Sequence, residues 1–220
     1  MLTPSIVPVA DAGAYKSAFF QDFIHLNVAM ATSNNALVPD PDKQDDLASQ
    51  FWQWPILHVG LRMCGWDDNT VKYFLLGNPF VYWGSTASLA VLGLIVLWYL
   101  IRWQRGCDEL TREDIDHIHY SGIYPVVGWF LHYLPFVVMA RVTYVHHYYP
   151  ALYFAILAFG FVTDWMLRRQ IKEVQFIIYG LLYTIVIGLY ILFIPICWGM
   201  VGSNKQYHYL KWFDHWRISD

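Results

Sequence analysis

Between His132 and Tyr153 the chain reads HYLPFVVMARVTYVHHYYPALY, which gathers side chains suited to holding an anion into one short turn between two apolar runs. Arg141 offers five N–H donors in a planar fork that fits phosphate in bidentate fashion. His146 and His147 add donors whose charge responds to pH near neutrality. Tyr149-Pro150 begins the next apolar run, and the unpaired N–H groups of a helix start also favour an anion. These parts predict a pocket for a lipid phosphate at a membrane surface, formed by Arg141, His146 and His147. Composition alone gives more weight to a plainer reading. An arginine at a helix end often reaches for headgroups, and His and Tyr populate the interface without any ligand.

Other polar groups point to less. His132, inside an apolar run, reads as a packing histidine with a satisfied ring. Asp164 near Arg168 reads as a charge pair at a helix end rather than a proton relay. His119, His132, His146 and His147 raise the question of a b-type haem, for which paired histidines could serve as axial ligands. Pro135 and the interspan turn separate them, however, and all lie near expected membrane boundaries. A non-catalytic membrane scaffold is the better alternative. Cys64, Cys107 and Cys197 lie far apart, without metal-ligand spacing or a disulfide framework. No metal and no cofactor is expected.

The elements that carry this turn are those of a membrane protein. The chain is 57% hydrophobic, 19% aromatic and 14% charged, with a mean hydropathy of +0.33. Soluble domains carry about 45–50% apolar and roughly 25% charged residues. A net charge of −3 offers no basic face for nucleic acid. Four runs reach the length of about 20 residues that crosses a hydrocarbon core. They are residues 79–101, 121–140, 149–167 and 174–201, together a four-span membrane domain over 79–201. Asn78-Pro79 suits a helix start, and Gly84, Ser85, Ala87, Ser88 and Gly93 suit close helix contact. Residues 102–119 form a polar connection and 168–173 a charged turn. The fold class is all-α.

Residues 1–78 form an extended segment ahead of the membrane. Tyr15–Ala31 places Phe19, Phe23, Leu26 and Met30 at helical spacing. The favoured reading is a helix packing on its own domain, with a membrane-surface helix as the alternative. A charged, turn-rich loop follows at Pro39–Asp46. Residues 50–78 cluster tryptophans as membrane–water interfaces do, and the aromatic, charged tail 202–220 is expected at the same interface. Arg102, Arg105, Arg112, Arg168, Arg169 and Lys172 outnumber the cations on the other side, which places 102–119 and 168–173 in the cytoplasm. The 141–147 turn then faces the lumen or the outside. Met1–Ala14 lacks the features of a secretory signal, and a fragment or truncated gene model is the expectation.

The stretch LHYLPFVVMARVTYVHHYYPALYF resembles the signature of the protein O-mannosyltransferases, in particular their C-terminal four-span region. WPILHVGLRMCGW, YFLLGNPFVYW and SNNALVPDPDKQDDLAS look like the pre-span segments of the same enzymes. The last two, with Cys64-Gly65-Trp66, look closest to the animal type-one enzyme. The resemblance covers about residues 16–220. It implies part of a GT-C glycosyltransferase of the endoplasmic reticulum membrane, which transfers mannose from dolichyl phosphate mannose to Ser or Thr hydroxyls of proteins. It implies membrane lipids and another mannosyltransferase subunit as further partners. It places the turn and residues 1–78 and 202–220 in the lumen. The family's acidic catalytic residue lies in a loop that this chain does not contain, so no catalytic residue is expected here. Arg141, His146 and His147 would hold the donor phosphate, with Tyr148 and Pro150 shaping the turn. The alternative is a non-catalytic or inactive membrane subunit that pairs with a full mannosyltransferase.

Overall fold

The computed structural model describes residues 19–36, 45–67, 69–107, 110–139 and 141–218. Residues 15–18 of the expected N-terminal helix and most of the Pro39–Asp46 loop lie outside them. Helix α1 spans Phe19–Asn35. After a 3-10 turn at Phe51–Gln53, strands β1 (Leu61–Arg62) and β2 (Phe74–Leu75) pair antiparallel, Leu61 opposite Leu75. Then follow α2 (Pro79–Gln104), α3 (Arg112–His117), a π-helical turn (Ile118–Ile123), α4 (Tyr124–Val138), α5 (Tyr149–Leu167) and α6 (Lys172–Trp198). Among the described residues, Pro79–Gln104, Arg112–Val138, Val145–Leu167 and Lys172–Trp198 are long and apolar enough to cross a membrane.

Local chemistry sets the helix ends. The Asn78 side chain accepts from the Val81 amide at 3.3 Å, and Pro79, which has no N–H to leave unpaired, opens α2. Gly199 stops α6 at φ +117°, a region that favours glycine. The polar connection 102–119 differs from expectation, because half of it is helix. The Thr111 hydroxyl caps α3 by accepting from the Asp114 amide at 3.1 Å, while the Asp114 carboxylate accepts from the Thr111 amide. The second span is thereby lengthened towards its N-terminus and runs into α4 through the π turn.

The expected Asp164–Arg168 pair is replaced by partners from α3. The Arg168 guanidinium donates to Asp114 at 2.5 Å and lies over the Trp165 ring. Asp164 faces His117 at 3.3 Å. Sequence proximity suggested the wrong partner because α3 folds back over this end of the bundle.

Helix α5 is central and packs on both α2 and α4, whereas α6 lies to one side against α2 and β2. The α4–α5 contact is close because α4 has glycine where α5 has phenylalanine. A Cβ at Gly128 would stand 2.5 Å from the Phe154 ring, and one at Gly122 would stand 2.9 Å from Phe161.

The larger core lies outside the bundle proper. Trp54, Leu57, Leu61 and Phe74 of the pre-span segment meet Tyr82, Val145, Tyr148 and Ile196 of the helices and Leu210, Trp216 and Ile218 of the tail. Trp54 and Trp216 are wholly buried, so these segments pack on one another. The Trp216 indole donates to the Leu57 carbonyl at 2.9 Å. Helix α1 departs from expectation in the opposite sense. Phe19, Phe20, Phe23, Ile24, Leu26 and Met30 are all exposed, so the favoured packing on its own domain is not what forms. Its apolar residues are spread around the helix rather than gathered into one stripe.

Two outcomes follow. Gly128→Leu should destabilise the bundle by about 1–3 kcal/mol by wedging α4 from Phe154, read as a lower thermal midpoint in detergent. Gly93→Leu, where a Cβ meets nothing within 4 Å, should not. The tail should loosen in acid. His215 stacks on His58 at 3.9 Å, and burial followed by the His58 charge holds its pKa below the ordinary value. The neutral form is favoured when folded. Its contribution is therefore present above the ordinary histidine pKa and lost as pH falls below it. Protection factors of the amides across residues 204–216 should fall between about pH 7.5 and about pH 5.5, and less so in His215→Phe.

Candidate functional site

The 141–150 turn has an irregular backbone between α4 and α5 and needs partners for its polar groups. They come from the pre-span segment. The Ser49 amide donates to the Thr143 carbonyl at 2.8 Å, and the Thr143 hydroxyl returns a bond to the Ser49 carbonyl at 2.6 Å. Both residues are buried. The Trp54 indole N–H donates to the Ser49 hydroxyl at 2.8 Å, and the Tyr133 hydroxyl donates to the Phe51 carbonyl at 3.0 Å. Residues 49–54 thus form a mould on which the turn is cast.

In that mould the residues selected from sequence come together. Arg141 is half-buried at the start of the turn and within electrostatic reach of Tyr144 and His147. Its Nε–H donates to the Val142 carbonyl at 3.3 Å. A 3-10 turn at Val145–Tyr148 places the next two candidates side by side. His146 is exposed and His147 half-buried, and their rings stack at 4.3 Å. His147 Nδ1 lies 3.0 Å from the Tyr144 amide nitrogen. Nδ1 lies equally 3.0 Å from the Tyr144 carbonyl oxygen, so it accepts the amide N–H when the proton is on Nε2 and donates to the carbonyl when it carries the proton itself. Adjacent stacked imidazoles cannot occupy opposite faces of one porphyrin, which removes this pair as haem ligands.

Tyr148 turns inward. It is 1% exposed, and its hydroxyl accepts from the Trp129 indole at 3.1 Å. Rings of Trp54, Tyr82 and Tyr133 surround it. Pro150 sits in the first turn of α5, where the missing N–H costs nothing. His132 faces outward, its Nδ1 2.8 Å from the Gly128 carbonyl and its ring on Phe154, and takes no part in the turn.

Sequence reading missed Asp45, Ser49 and Trp54 as parts of this site. The Tyr144 hydroxyl donates to the Asp45 carboxylate at 2.6 Å. That bond, with the Leu47 amide, holds the Asp45 carboxyl below the usual range. The same bond raises the Tyr144 phenol, so the proton stays on the phenol. A separation of 99 residues leaves no spacing signal for such a contact. The aromatic cluster FWQWP was the one local hint.

As a whole, the turn presents a guanidinium, a half-buried imidazole and an exposed second imidazole, beside the start of a helix. That set suits an anion such as a phosphate ester. Thr143→Val should free the buried Ser49 carbonyl and cost about 1–3 kcal/mol. A lower thermal midpoint and earlier proteolysis between residues 45 and 54 would register it.

Comparisons with known proteins identify the family. The family described as the C-terminal four-transmembrane region of protein O-mannosyltransferase matches residues 19–216. The chain is 51% identical over 204 residues to dolichyl-phosphate-mannose–protein mannosyltransferase 6 of Saccharomyces cerevisiae, covering 93% of the chain and 27% of that relative. It is 29% identical over 253 residues to protein O-mannosyl-transferase 2 of Drosophila pseudoobscura pseudoobscura, covering 97% of the chain and 33% of the relative. A solved structure, the S. cerevisiae Pmt1-Pmt2 protein O-mannosyltransferase complex bound to the sugar donor, matches with TM-score 0.75 and 30% identity, over 92% of this chain and 27% of that one. Kinship therefore runs to both fungal and animal members. It is stronger to this yeast enzyme than to this fly one, which is of the second type, and a special likeness to the animal type-one enzyme draws no support from these identities. The chain spans roughly a quarter to a third of the length of these proteins. With four helices of membrane-crossing length and this family match, it is a multi-pass membrane protein.

Proposed function

Because the chain belongs to the protein O-mannosyltransferase family, we propose that it serves as the C-terminal membrane part of an enzyme that mannosylates proteins. That enzyme transfers mannose from dolichyl phosphate mannose to Ser or Thr hydroxyls in the endoplasmic reticulum. The 141–150 turn faces the lumen and binds the donor's phosphate through Arg141, His146 and His147, while Tyr148 and Pro150 hold the turn in shape. The observation that carries this reading is the assembly of Arg141 and the stacked histidines on one turn, over a buried mould from a distant segment.

The chemistry explains why cations belong there. The acceptor hydroxyl gives its proton to a base as its oxygen bonds to the sugar carbon. The bond from that carbon to the phosphate oxygen breaks, and a phosphodiester with one negative charge leaves as a monoester that can carry two. Donors that meet the growing charge lower the barrier as well as holding the lipid. The base, a carboxylate, belongs to a part of the enzyme outside this chain. The yeast neighbour is a two-subunit complex bound to the sugar donor, which supports a second mannosyltransferase subunit as partner here.

The two-subunit yeast neighbour also leaves room for a second reading, a non-catalytic membrane subunit that pairs with a complete enzyme. Mannosyl transfer by membranes holding the 220-residue chain as their sole family member would overturn both the missing base and this second reading. In a full-length enzyme carrying this region, Arg141→Gln should lower kcat/KM for the donor about 10- to 100-fold, the loss of a charge-assisted contact worth about 1.5–3 kcal/mol. Unchanged donor affinity and rate would end the assignment.

A further inference from the structure

Resting on the donor-phosphate reading above, we propose that Asp45 is a positioning residue for the His146–His147 pair, acting through Tyr144. Asp45 holds the Tyr144 phenol at 2.6 Å. The Tyr144 ring lies almost parallel to both imidazoles, at 9° and 5.7 Å from His146 and at 17° and 6.0 Å from His147. Trp54 extends the sequence of near-parallel rings from the other side of His147, at 21° and 6.4 Å. The imidazoles are therefore held as nearly parallel plates, with their N–H edges in neighbouring planes.

One end of this set is fixed by the buried core, because Trp54 is wholly enclosed. The other end is Tyr144, half-buried beside an exposed histidine. There a rotation of the phenol would release His146 from its plane. Its hydroxyl donates to Asp45, and the Asp45 carboxylate is itself fixed by the Leu47 amide at 2.9 Å. Loss of this anchor would leave the histidines in place but let their donor edges wander, and a misplacement of about 1 Å can cost up to about a hundredfold.

The sign of the effect separates positioning from simple electrostatics. A carboxylate near a phosphate site repels the ligand, so a bystander Asp45 would weaken donor binding and its removal would improve it. A positioning Asp45 does the opposite. The two roles also differ in what rescues them. Asparagine keeps an acceptor for the phenol while losing the charge.

The test uses a full-length enzyme carrying this region, with dolichyl phosphate mannose titrated at saturating acceptor. Asp45→Ala and Tyr144→Phe should each raise the donor KM about 5- to 10-fold and lower kcat as well. The double variant should be no worse than the worse single one, because both remove one contact. Asp45→Asn should recover most of the wild-type KM. Thermal midpoints measured alongside should stay near wild type. A lower donor KM in Asp45→Ala, or a fall in stability with KM unchanged, would overturn the role. If Arg141→Gln weakens donor use while Asp45→Ala and Tyr144→Phe do not, the role of Asp45 falls and the donor site stands. If Arg141→Gln also has no effect, the donor site falls and takes this role with it.

Discussion

The structure depends on the reciprocal bonding of Ser49 and Thr143, with the Trp54 indole capping Ser49. An irregular turn between two membrane helices carries backbone groups that neither helix can satisfy. Here a segment 94 residues earlier in the chain supplies the partners, and its tryptophan fills the space beneath. The cost of an unpaired buried carbonyl is what makes the arrangement specific. Because Trp54 is fully enclosed, the turn, the pre-span segment and the tail share one core. The presentation of Arg141 and the two histidines is therefore a property of the whole end of the bundle.

The bundle beneath is held by different physics. Apolar side chains gain little from leaving lipid for each other, so close contact decides which helices touch. Helix α5 presses Phe154 and Phe161 into the gaps that Gly128 and Gly122 leave. At the other end, Arg168 reaches past its helical neighbour to Asp114 of α3. The π turn at Ile118–Ile123 lets α3 and α4 run on as one helical segment across that end. These contacts fix where α5 begins, and with it the height of the histidine turn.

On the function proposed above, the turn is an anion site assembled from stacked rings. Guanidinium and imidazole groups supply the donors, while the aromatic neighbours supply orientation. A negative charge at Asp45 beside such a site makes sense if it orients rather than binds, since a bare carboxylate opposes a phosphate. The Asp45 carboxylate, from the pre-span segment, is committed to the Tyr144 phenol.

The sequence by itself determined the four spans, the start of α2 at Asn78-Pro79 and the location of the polar turn. These rest on local hydrophobicity, on proline's missing N–H and on residue types within one short stretch. It also yielded Arg141, His146 and His147, since neighbours in sequence stay neighbours in a tight turn. It misjudged the partner of Arg168, the covering of α1 and the helical half of 102–119, all of which turn on contacts between distant segments. Only the tertiary structure decided that Asp45, Ser49 and Trp54 belong to the histidine turn. A hydrogen bond across 94 or 99 residues leaves no periodicity in the chain. It exists because burial forces distant polar groups to find each other.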